Sequence, residues 1–176
     1  MARLKRGSFS LNLGIVTLSG DLNDDDRQCA WELYTELSTR VAVTGKPSDC
    51  ECTNFDGELF IESLESLFGF IQEARQIMRK FPVGRVEVAT KNHLGILICC
   101  AINGVLRPFL EKWQVRFRHW WENQSNPRLG PLDRQAQYPQ LEEFLHDWAA
   151  VRWLMRNLQE ELAKVYSLIE VSHRNA

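Results

Sequence analysis

The sequence predicts a mainly α protein: a four-helix-bundle-like single domain, 1–176, with a kinked third helix and a small two-stranded β-ribbon. Three observations carry that expectation. Apolar residues recur at helical spacing over four long stretches, no βα unit repeats along the chain, and strand-like alternation is confined to short segments.

Residues 1–20 read as an extended segment, in which Phe9, Leu11, Leu13 and Ile15 alternate with Ser10, Asn12 and Gly14. That is the period of a strand with one buried face. The first helix is expected over 24–43, with Asp24, Asp25 and Asp26 at its positive N-terminus and Ala30, Leu33, Tyr34, Leu37 and Val41 as its apolar stripe. Gly45 and Pro47 stop it, and 45–54 reads as a loop. The second helix spans 56–81 on Phe60, Leu64, Leu67, Phe68, Ile71, Ala74 and Met78, and Pro82 and Gly84 end it. Val86 and Val88 then alternate with Arg85 and Glu87, which makes 83–89 the candidate second strand of the ribbon.

The third helix, 92–123, opens on the apolar block 94–106 and meets Pro108. Proline lacks an N–H and clashes with the carbonyl four residues back, so a kink is expected near Arg107. Pro127, Gly130, Pro131 and Pro139 punctuate the loop that follows. The fourth helix, 139–172, has the clearest pattern: Leu141, Phe144, Trp148, Val151, Met155, Leu158, Leu162, Val165 and Ile169 step alternately by three and four. That is a heptad seam, and such a helix wants partners along its whole length.

Composition bounds the function. The chain sets 21 Lys+Arg against 23 Asp+Glu for a formal charge of −2, and its few glycines and prolines exclude a fibrous or disordered chain. Near-neutrality argues against a surface devoted to nucleic acid or anionic lipid. No signal-peptide h-region follows the basic N-terminus, and the block 94–106 is 13 residues, shorter than a membrane span; no membrane partner is expected. An odd count of 5 cysteines, two of them inside that apolar block, suits a reducing cytoplasm. The unusual feature is 6 tryptophans.

Three of those tryptophans fall in 107–128, where five basic residues and two acidic ones leave a local +3. Arg107, Trp113, Arg116, Phe117, Trp120 and Trp121 are therefore the candidate interface, because Trp and Arg dominate interface hot spots and also hold phosphates and stack bases. The competing interpretation is core packing, since Trp113, Phe117 and Trp120 lie at i, i+4 and i+7. The segments 21–43 and 138–172 carry local charges of −4 and −3, and can attract the basic segment within the chain or between subunits. Glu36, Arg40 and Arg75 sit on or near apolar stripes and would form a polar pocket if they converged; exposed ion pairs are the commoner outcome.

Catalytic patterns are incomplete. Glu143 and His146 form one Glu-x-x-His motif, whereas a di-iron bundle needs two on facing helices. Cys50 and Cys52 are separated by one residue, too few for a zinc pair, and no nucleophile elbow, P-loop or dinucleotide fingerprint occurs. No metal and no cofactor is expected.

The stretch from Trp31 to Arg40, with Leu106-Arg107-Pro108-Phe109-Leu110-Glu111-Lys112-Trp113 further on, resembles uncharacterised bacterial helical accessory proteins encoded near conflict or signalling gene clusters. The resemblance implies an accessory or adaptor role, within a multi-protein and conceivably defence-related system, and transfers no catalytic residue. The expectation is a cytoplasmic, non-enzymatic module that binds another protein chain or itself as a homo-oligomer. The alternatives are nucleic-acid binding through 107–128, and a carboxylate/His metal-dependent enzyme centred on Glu143 and His146.

Overall fold

The computed structural model describes residues 2–13, 24–80 and 94–168, and these form a mainly helical chain with one antiparallel ribbon. Strands β1 (Ala2–Arg6) and β2 (Phe9–Leu13) pair from Arg6 opposite Phe9 to Ala2 opposite Leu13. Gly7 takes φ +59 at the first central position of the connecting turn, which a type II′ hairpin demands of it. The Phe9 strand thus finds a partner in the basic N-terminal residues, joined by two residues. Closing so short a loop costs little chain entropy. The expected partner, 83–89, lies outside the described residues.

Helix α1 (Asp24–Thr39) is separated from the single turn α2 (Val41–Thr44) by Arg40, whose extended backbone (φ −111, ψ 91) interrupts the one helix expected over 24–43. Gly45, at φ +74, closes α2 by donating its N–H to the Val41 carbonyl. An irregular loop leads to α3 (Phe60–Lys80), which starts four residues later than the apolar pattern suggested because Gly57 turns the chain at φ +75.

Helices α4 (Leu94–Ala101) and α5 (Arg107–Asn123) flank a π-helical turn, Ile102–Leu106. The expected disturbance at Pro108 takes this form: Arg107 N–H reaches the Ile102 carbonyl five residues back, and proline sits in the first turn of the next α-helical segment. The continuous stretch Leu94–Asn123 is long and apolar enough to cross a membrane by length and composition, with 44% of its most apolar window buried in this fold. A short α6 (Pro131–Gln135) lies where only loop was expected, with proline at the favoured helix start.

Helix α7 (Leu141–Val165) is the axis of the core. Eight of its seam residues behave as the heptad predicts: Phe144, Trp148, Val151, Met155, Leu158 and Leu162 are buried, and Leu141 and Val165 flank them half-buried. The seam is nevertheless too narrow a description, because Asp147, Ala149, Ala150, Arg152 and Leu154 are buried as well. The ribbon, α1, α2, α5 and the π turn all pack on α7, so it is enclosed within its own chain. Small Ala150 lets the ribbon approach, and a Cβ on Gly7 would stand 3.7 Å from it.

Candidate functional site

The basic aromatic segment divides between inside and outside. Trp113 and Phe117 are fully buried and Trp120 nearly so. Their rings build an aromatic layer on Phe144, which lies 5.4 Å from both Trp113 and Phe117 and 5.1 Å from Trp148 between ring centroids. The expected interface is corrected on these three positions: the i, i+4, i+7 face of α5 is spent on the core. Trp121 is half-buried under the Arg134 guanidinium, 3.9 Å from its ring centroid. Arg107 and Arg116 are exposed, and Arg118 pairs with Glu65 of α3 at 3.1 Å.

The attraction between basic and acidic segments operates inside the chain. Lys112 of α5 donates to Glu143 at 2.7 Å and to Asp147 at 2.8 Å on α7. Hydrogen bonds from Lys112 to Asp147 and then Glu143 outweigh desolvation and raise its pKa. Asp147 also accepts the Trp113 indole N–H at 2.9 Å, which explains a carboxylate buried in the aromatic layer.

Glu36 and Arg40 do pair, at 2.8 Å, and Arg40 reaches the Ser66 carbonyl at 3.4 Å. Arg75 stays outside this cluster, exposed on α3 about 9 Å of helix rise beyond Gly69. The expected three-residue pocket therefore reduces to a helical i, i+4 pair. Among the described residues, no three His, Cys, Asp or Glu side chains gather as metal ligands. Glu143 is taken by Lys112, and His146 is exposed on the ribbon side of α7.

The buried guanidinium belongs to Arg152, outside the polar residues expected to converge. Arg152 is 0% exposed; it bonds Glu58 Oε2 at 2.5 Å, donates to the Ala42 and Asn54 carbonyls, and stands 4.1 Å from the Phe55 ring centroid. Desolvation lowers its pKa, and the hydrogen bond it donates to Glu58 opposes that shift. One turn on, Arg156 donates to the carbonyls of Thr44, Lys46 and Asp49. Two arginines of α7 thus hold the irregular loop 45–59 by its backbone oxygens. Gln135 of α6 completes the clamp, donating to the Glu58 carbonyl and accepting Phe60 N–H at 2.9 Å. Cys52, at φ +61, is the buried cysteine of this loop; burial pushes its thiol pKa up, which makes it a packed group rather than a ready nucleophile.

Two concavities meet at His146. One is a half-enclosed cavity of about 170 Å³ lined by Arg6, Thr53, Phe55, Leu145, His146, Ala149 and Ala150. The other is an open hollow of about 450 Å³ formed by Pro139, Gln140, Glu142, Glu143 and His146. The cavity exists because the clamped loop, the end of β1 and the small alanines of α7 converge without filling the space. Arg6 on its rim is held by Glu51 at 2.8 Å and lies 5.3 Å from the Trp153 ring centroid. Comparison with family models, with curated proteins and with solved structures yields no match.

Proposed function

We propose that this chain is a cytoplasmic protein-binding module, an adaptor or accessory subunit acting without chemistry of its own. One observation carries the reading: an apolar cavity with a polar rim opens beside the ribbon and continues into an acidic hollow. An apolar recess ringed by polar groups is the anatomy of an anchor site at a protein interface. The buried ionisable groups support it, since Arg152, Asp147 and Glu58 are engaged in holding helices and loops together. The burial of Trp113, Phe117 and Trp120 favours a protein partner over single-stranded nucleic acid, whose bases would need those rings on the surface.

Light scattering combined with quantitative copurification from the native host tests the proposal. A stoichiometric partner chain, or a defined oligomer, is the expected result. A strict monomer that recovers no partner overturns it.

A further inference from the structure

The cavity and hollow at His146 share one wall, and their linings differ in kind. Phe55, Leu145, Ala149 and Ala150 make the cavity apolar, while Glu142 makes the hollow acidic beside Glu143, which is paired with Lys112. A dry cavity of about 150 Å³ accepts benzene, so about 170 Å³ has room for one bulky apolar side chain. Arg6 on the rim is already neutralised by Glu51, and a basic group nearby meets net negative charge.

The ribbon supplies the third part. A two-residue hairpin makes Arg6 and Phe9 a hydrogen-bonded pair, and alternation then puts Leu4 and Ala2 in the same class. The main-chain N–H and C=O of Lys5 and Arg3 therefore point away from β2. Among the described residues β1 pairs with β2 alone, and its last residue, Arg6, lies on the cavity rim. Residues two apart on an extended peptide are about 6.6 Å apart on one face, enough to pass from cavity to hollow across His146.

We infer that this groove docks an extended peptide segment of a partner protein, with a bulky apolar residue in the cavity and a lysine or arginine two positions away in the hollow. The inference rests on the protein-binding reading above and names its ligand class. Backbone pairing along β1 supplies orientation, and the two side chains supply selectivity.

Fluorescence polarisation of the intact chain with labelled, blocked peptides tests it. The probe carries one leucine and, two residues away, one lysine in a serine/threonine background. Saturable binding is expected, weakened about tenfold or more when serine replaces leucine, and about threefold when glutamate replaces lysine. Ala149→Leu fills the cavity and should abolish the leucine preference. Thr53→Trp, at an exposed rim position, should do the same without touching the core, and Glu142→Lys should invert the charge preference. No saturable binding, or equal binding of the serine peptide, overturns the inference, as does full binding by folded Ala149→Leu and Thr53→Trp chains. A photo-crosslinker at His146 and another at exposed Ile96 separate the two proposals. A partner captured only at Ile96 sinks the groove and leaves the module, whereas loss of every partner sinks both.

Discussion

Two adjacent stretches of α7 solve the same packing problem with opposite chemistry. Around Phe144 and Trp148 the helix is held by rings of α3 and α5 stacked at 5 to 6 Å, with Trp148 and Trp113 each placing their indole N–H on a defined acceptor. One turn further, Arg152 and Arg156 grip a loop that has no regular structure, through its carbonyl oxygens. The aromatic layer is stabilised by area removed from water, which is non-directional and collective. The clamp works by satisfying backbone groups that a loop cannot pair for itself, so each donor answers for specific acceptors. The clamped region builds a concave surface, because a loop pinned at a few points leaves space that a packed helix would fill.

The comparison can be broken at either end. Trp148→Ala, in the aromatic layer, should cost the most, about 3–5 kcal/mol in urea unfolding, through lost burial and the cavity left behind. Arg152→Met should come close, at about 3 kcal/mol, because it abandons the buried Glu58 carboxylate. The distinction appears in the double variant: adding Glu58→Met should restore much of that loss, whereas a second truncation at Phe144 should restore nothing to Trp148→Ala. Additive losses at Arg152 and Glu58 would show that the clamp is ordinary packing.

Trp113→Phe keeps most of the ring and removes one hydrogen bond to Asp147, so a loss of about 1 kcal/mol is expected by the same unfolding measurement. The smallest effect belongs to Asp49. Burial raises its pKa, but backbone N–H donors from Asn54, Glu51 and Thr53 outweigh that and leave it below 3.8. Its contribution is therefore present above the unfolded-chain value and disappears as pH falls through the lower native one. Asp49→Asn should flatten stability against pH on the acid limb, removing a small stabilisation at neutrality and changing little below the native pKa. An unchanged acid limb would show that the carboxylate is not coupled to the clamp.

Helix existence was legible because period and burial coincide: the stripe of α5 and the seam of α7 become core, and so does that of α3 except that Phe68 is exposed and Met78 half-buried while Phe70 and Ile77 turn inward. The disturbance at Pro108 was legible too, since a missing N–H is a covalent fact, although its form as a π turn depended on neighbouring packing. The candidate interface on Trp113, Phe117 and Trp120 was ambiguous in one dimension, where a ring for the core and a ring for a partner look alike. Arg152 was overlooked among the usual scarcity of buried charge, yet it carried a signal. From 148 to 155 nearly every residue is apolar or small, so α7 has no polar face there to take a guanidinium into water.

The sequence by itself determined which segments are helical, where proline and glycine interrupt them, and which helix faces avoid water. Those properties are local, set by backbone sterics and hydrophobic period. The tertiary structure alone decided that α7 packs against the ribbon, α1, α2 and α5 of its own chain, that Arg152 meets Glu58 across 94 residues, and that β1, the clamped loop and two alanines leave a cavity at His146. Such groups meet only when chain closure brings distant segments together, and no spacing along one strand or helix encodes that meeting.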